Sequence, residues 1–124
     1  MPSTRRDLGA FGESAARSYL VRAGYTLLTS NWRCRIGEID LVAQQGGQLV
    51  LVEVRTRRAG GPVSPEESLS PAKLRRLLDL AAAYMAEADL PAHTPCRIDL
   101  IAITVGHGGQ IARLEHIVSA VEGG

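Results

Sequence analysis

The chain has 124 residues, 45% hydrophobic and 22% charged, with a formal net charge of +1. This supports one domain over residues 1–124 with its own core and excludes a disordered chain. No apolar run approaches the roughly 18 residues of a membrane helix, and the polar N-terminus has no signal-peptide core, so a cytoplasmic protein without a membrane partner is expected.

Residues from about 5 to 23 read as an amphipathic helix. Leu8, Phe11, Gly12, Ala15, Ala16, Tyr19, Leu20 and Ala23 form its apolar stripe, and Gly24 is its stop. Glu13 falls at the edge of the stripe, where it can reach inward or pair with Arg17 one turn on. Tyr25 to about Ser30 reads as a short strand, and Asn31-Trp32-Arg33-Cys34-Arg35 as a connector. Trp32 is read as a packing anchor rather than a platform for a base, because aromatics make up only 4% of the chain.

Gly37-Glu38-Ile39-Asp40-Leu41-Val42-Ala43 and Leu49-Val50-Leu51-Val52-Glu53-Val54-Arg55 alternate polar and apolar residues, as half-buried strands do. Gly46-Gly47 between them suits a two-residue hairpin turn. Pairing Gln45 with Gln48 then sets Asp40 opposite Glu53, and Glu38 opposite Arg55. Directly opposed side chains stand about 4.5–5.5 Å apart at Cβ, where like charges repel. Asp40 and Glu53 therefore share a proton, are neutralised by an arginine, hold a divalent cation, or lie on a wet sheet face.

The segment from Arg58 through Gly60-Gly61-Pro62 to Pro65 reads as a loop. Ser70-Pro71 reads as N-cap and first position of a second helix to about Ala88, with Leu74, Leu77, Leu78, Ala81, Ala82, Tyr84, Met85 and Ala88 as its core stripe. Lys73, the one lysine beside thirteen arginines, sits in its first turn at the border of that stripe. Arg97 to Thr104 is a strand containing Asp99, which is expected to buttress the sheet or pair with an arginine. Gly106-His107-Gly108-Gly109 makes a turn, and Ile111 to about Ala120 ends the chain as a strand or a strand–helix mixture. Cys34 and Cys96 are isolated and the three histidines dispersed, which argues against zinc. Net charge makes no bulk case for nucleic acid. However, Arg33, Arg35, Arg57, Arg58, Arg75 and Arg76 cluster before and after the acidic strands, as phosphate-contacting residues do.

Gly37-Glu38-Ile39-Asp40, the hairpin, and Val52-Glu53-Val54-Arg55 resemble the PD-(D/E)xK nuclease signature. Together with Gly12-Glu13-Ser14-Ala15-Ala16, Asn31-Trp32-Arg33, Ser70-Pro71-Ala72-Lys73 and Arg97-Ile98-Asp99-Leu100, they resemble the YraN-like family, related by fold to archaeal Holliday-junction resolvases. The resemblance implies an α/β restriction-endonuclease-like core, a mixed central sheet flanked by helices. It implies a metal-dependent endonuclease acting on structured or branched DNA, with homodimers as in the resolvases. Mg²⁺ or Mn²⁺ would be held by Asp40, Glu53 and the Val54 carbonyl, with Glu13 assisting. The third signature position, usually lysine, is Arg55. Arginine stays protonated and cannot act as a general base. Three readings stand: Arg55 contacts phosphate or water in an altered nuclease; Lys73 supplies the amine; or catalysis is lost, leaving a nucleic-acid-binding protein with a structural Glu38–Arg55 pair.

Overall fold

Thr4 opens the first helix, its hydroxyl accepting the Asp7 N–H at 3.0 Å, in a computed structural model that describes residues 4–61 and 70–121. Helix α1 covers Arg5–Arg22, and Gly24 beyond it takes φ +95°, a conformation that glycine adopts at little cost. Strands β1 (Thr26–Arg33), β2 (Glu38–Gln45) and β3 (Gln48–Arg58) form an antiparallel meander. Helix α2 (Pro71–Glu87) crosses over to β4 (Cys96–Val105), which runs parallel to β3, and β5 (Ile111–Val121) returns antiparallel along β4. The result is a five-stranded mixed sheet in the order β1-β2-β3-β4-β5, flanked by two helices, with a restriction-endonuclease-like architecture.

The hairpin turns at Gly46 and Gly47, with φ of +57° and +76°, as a type I′ turn demands. Its register runs from Gln45↔Gln48 to Leu41↔Val52. On one face of the sheet Ala16 and Leu20 of α1 pack with Tyr25, Leu41, Ala43, Val50, Val52, Ile101, Ile103 and Val105. On the other, Leu77, Leu80 and Ala81 of α2 pack with Ile39, Val42, Leu49, Leu51 and Ile98. Trp32 joins this second core, its ring meeting Tyr84 edge-on at 5.4 Å, and so it is a packing residue.

Several elements differ from the sequence expectation. Of the expected connector from Asn31 to Arg35, the first three residues are strand: β1 continues through Arg33, and Asn31 adopts φ +52°, which asparagine tolerates better than most residues. β3 extends three residues beyond Arg55, and the chain's last element is strand. Of the expected loop, residues 62–65 lie outside the described residues. On α2 the buried arc is turned: Leu80 is inside, while Leu78 is 39% exposed and Ala82 also faces outward.

Ser70 caps α2, accepting the Lys73 N–H at 3.2 Å, and Pro71 follows as the first helical residue. Ser70→Ala should cost about 1 kcal/mol of stability, measurable by thermal melting, and should loosen the turn that carries Lys73.

Candidate functional site

The β2–β3 ladder ends at Leu41↔Val52, one residue before the two acids would face each other. There the strands part, while β3 stays paired with β4 through Arg58↔Val105. The Asp40 carboxylate fills the gap: its Oδ2 accepts the Val54 N–H at 2.8 Å, replacing a ladder hydrogen bond. In a strand the N–H and C=O of one residue point to the same side, so the Val54 carbonyl also faces the opened gap. Glu53 is only 8% exposed, and its carboxyl meets that of Asp40 side chain to side chain.

Two further acids close on Asp40. Asn31, held in its unusual backbone conformation, donates both amide hydrogens, to Glu13 Oε1 and Glu38 Oε1, each at 2.8 Å. One oxygen from each of Glu13, Glu38 and Asp40 lies within 4.8 Å of the other two. Glu13 thus turns to Asn31 and the acids, not to Arg17. The expected Glu38–Arg55 pair does not form. Glu38 instead contacts Asn31 and, at 3.5 Å, the exposed Arg33. The splaying of the strands is the reason, because a cross-strand register has no meaning beyond the last rung.

Burial, then the charge of Glu53, push the Asp40 pKa up to about 8; the Val54 N–H pulls the other way and Glu13 adds a smaller push. Asp40 therefore holds its proton to a higher pH than an ordinary aspartate. An all-carboxylate oxygen set suits a hard divalent cation such as Mg²⁺ or Mn²⁺. At bond lengths of about 2.1 Å, oxygens on one ion stand about 3.0 Å apart in adjacent positions and about 4.2 Å apart in opposite ones, so the three acids would draw together to hold it.

Cationic walls stand on both sides. Toward α2, a cavity of about 130 Å³ is lined by Gly37, Glu38, Glu53, Lys73 and Arg76, which brings Lys73 to the acids although its side chain is otherwise exposed. Toward α1, a cavity of about 260 Å³ is lined by Arg5, Glu13, Val54, Arg55 and Thr56. Arg55 Nη2 lies 2.7 Å from Glu53 Oε2, an ion-pair contact without hydrogen-bond alignment. Its Nε and Nη2 are buried with no acceptor. Arg57 lies two residues farther along the same strand. Arg35, Arg58 and Arg75 are exposed and do not line either cavity.

Asn31 and Glu38 are the site residues that sequence reasoning missed. The signal for Glu38 was its position two residues before Asp40 on one strand; for Asn31 it was its place in the Asn31-Trp32-Arg33 piece of the family resemblance.

Asp99 lies elsewhere, fully buried beneath α1. It accepts Arg97 Nε at 3.0 Å, His116 Nε2 at 2.8 Å and the Ser119 N–H at 2.9 Å. Burial raises its pKa, but the bonds from His116, Arg97 and Ser119 outweigh this and hold it below the usual range. A carboxylate only accepts, so His116 Nε2 donates to Asp99, and the ring's Nδ1 lies 2.9 Å from the Tyr19 hydroxyl. Arg97 also reaches Tyr25 at 2.7 Å and Gln48 at 2.8 Å. The network ties α1, β3, β4 and β5 together and answers the expectation that Asp99 pairs with an arginine.

Residues 12–103 match the Uncharacterised protein family UPF0102. A UPF0102 protein of Roseiflexus castenholzii is 50% identical over 122 residues, covering 98% of each chain. One from Chloroflexus aurantiacus is 50% identical over 121 residues, again 98% of each, and one from Moorella thermoacetica is 41% identical over 120 residues, 97% of this chain and 99% of its own.

Proposed function

The chain belongs to the UPF0102 family, the YraN-like group its motifs resemble, and we propose that it is a divalent-metal-dependent endonuclease acting on structured or branched DNA. The observation that carries this reading is the convergence of Glu13, Glu38, Asp40 and Glu53 at a parted strand pair, beside an arginine with unmatched buried donors. Branched DNA as the preferred form follows from the resemblance to the resolvases.

Asp40, with Glu13 and Glu38 on one side and Glu53 and the Val54 carbonyl on the other, would hold Mg²⁺ or Mn²⁺. Such an ion supplies Lewis-acid neutralisation of a phosphate and lowers the pKa of water. Asn31 orients Glu13 and Glu38 for that task through its two amide hydrogens. Arg55 donates to the non-bridging phosphate oxygens and offsets charge developing there, a role for which a permanently charged, planar donor suffices. Lys73, across the smaller cavity, is the amine nearest the acids and the one side chain on that wall able to exchange a proton.

The experiment incubates a four-way junction, a flap and plain duplex with the protein in Mn²⁺ or EDTA. Mn²⁺-dependent cleavage is expected, abolished in Asp40→Ala and Glu53→Ala. Lys73→Ala should reduce it if the amine carries a proton and leave it intact if Arg55 suffices; Arg55→Lys should raise it if arginine blunts the chemistry.

The second reading, a nucleic-acid-binding protein without catalysis, is favoured by one observation: Glu53 already engages Arg55. Binding unchanged by EDTA and by both acid variants, with no cleavage in Mn²⁺, would select it.

A further inference from the structure

Glu53, Arg55 and Arg57 follow one another at two-residue spacing on β3, so their side chains leave the strand on the same side, about 6.6 Å apart along it, and Arg55 also borders the cavity toward α1. The two arginines have different partners: Arg55 Nη2 lies 2.7 Å from Glu53 Oε2, whereas Arg57 Nη1 donates to the Gly61 carbonyl, in the turn after β3, at 2.7 Å. Each nonetheless keeps a buried donor without an acceptor: Nε and Nη2 of Arg55, and Nε of Arg57. Among the described residues no carboxylate pairs with Arg57. Buried charged donors left unmatched are unfavourable, and an outward shift of each side chain would let an acceptor arriving from outside satisfy them.

We propose that the outer half of β3 is a track for two consecutive phosphates of one nucleic-acid strand, Arg55 taking the phosphate beside the acids and Arg57 Nε the next. The two guanidinium groups are held by different partners, and the spacing of their positions along β3 is comparable with that of neighbouring phosphates on an extended strand. The row of one acid followed by two arginines also gives the bound backbone a direction, leading away from Asp40 along β3. This inference rests on the reading of the site as one that handles nucleic acid, but it does not require cleavage.

The test measures binding of a single-stranded thymidine 12-mer in EDTA across a salt series. Arg57→Gln should weaken binding about five- to twentyfold and reduce the slope of log K against log salt by about 0.7, the share of one phosphate contact on a single strand. Arg57→Lys should keep the slope but lose about threefold or more, because it keeps the charge and lacks the Nε–H. Losses in Arg55→Gln and Arg57→Gln should add, as contacts to separate phosphates do. Arg22→Gln, at the far end of α1, controls for net charge and should leave binding nearly unchanged.

If the wild type binds and Arg57→Gln matches it, the inference falls while the reading of the site stands. Arg57→Lys indistinguishable from wild type would reduce the contact to bulk charge and overturn the Nε assignment; strongly non-additive losses would put both arginines on one phosphate and overturn the track. No binding of any nucleic acid by the wild type would remove this inference and the reading beneath it together.

Discussion

Between about pH 4 and pH 8 the metal-free protein should lose several kcal/mol of folding stability, and Mn²⁺ should restore most of it. The Asp40 pKa is pushed up to about 8 in the folded chain, against about 3.9 for an unperturbed aspartate. Across that window the folded state retains a proton that the unfolded state has released, so raising the pH favours unfolding. Above pH 8 both states are ionised and the loss levels off. Each pKa unit is worth about 1.4 kcal/mol, which makes this the largest single pH effect expected of the molecule. Asp99 works in the opposite sense: its pKa is lowered, so its contribution is present above the usual aspartate range and disappears as the pH falls through its folded value.

A cation takes the place of the Asp40 proton, so the rise in melting temperature on adding Mn²⁺ should be larger at pH 8.5 than at pH 6. Asp40→Asn keeps the shape and can still accept the Val54 N–H, yet carries no charge. It should flatten the stability profile between pH 4 and 8 and lose most of the response to Mn²⁺. A variant whose profile still falls steeply through neutrality would show that the strain lies in another group.

Gly12→Ala should destabilise the protein by about 1–3 kcal/mol, whereas Gly9→Ala, one turn earlier on the same helix, should stabilise it by about 1 kcal/mol. Intrinsic helix propensity favours alanine at both positions, so the environment decides the sign. A Cβ at Gly9 would meet nothing within 4 Å. One at Gly12 would lie 1.8 Å from Thr56 Oγ1, 2.9 Å from its Cβ and 3.0 Å from its Cγ2. A rotation of the threonine cannot clear its own Cβ, so α1 must lift from β3. Glu13 is the next residue and would move with the helix, away from Asn31 and Asp40, so metal affinity should fall together with stability.

Thr56→Gly removes all three obstructing atoms. Adding Gly12→Ala to a Thr56→Gly background should therefore cost far less than adding it to the wild type. Thermal melts of the four combinations measure this, and simple additivity would mean that the contact does not set the distance between helix and sheet.

The hairpin was legible because its information is local: two glycines able to take positive φ, flanked by alternating residues, determine turn and register together. The start of α2 was legible for the same reason, in Ser70-Pro71. What failed was extrapolation. Carrying the register past Leu41 paired Glu38 with Arg55, but the Asp40 side chain captures the Val54 N–H and the strands diverge there. Helical periodicity located an apolar stripe on α2, yet could not tell that the twisted sheet would take in Leu80 and leave Leu78 outside. An arginine partner for Asp99 was anticipated, but the bonds from His116 and Tyr19 join residues brought together only by the fold, and no spacing rule anticipates those. Asn31 passed as a connector because its role depends on a left-handed backbone inside a strand.

The parallel pairing of β3 with β4 bears on how the molecule is made. Vectorial synthesis delivers α1 and the β1–β3 meander first, and with them every acid of the cluster. The inner face of that meander nevertheless packs on Ile101, Ile103 and Val105, which emerge only after α2. Its mutually repelling carboxylates cannot be clamped against a finished core until β4 has docked beside β3, closing a long stretch of chain whose entropy must be lost before any contact rewards it. The nascent protein thus exposes an unfinished half-sheet, its acids not yet seated, until its own later residues arrive to complete it.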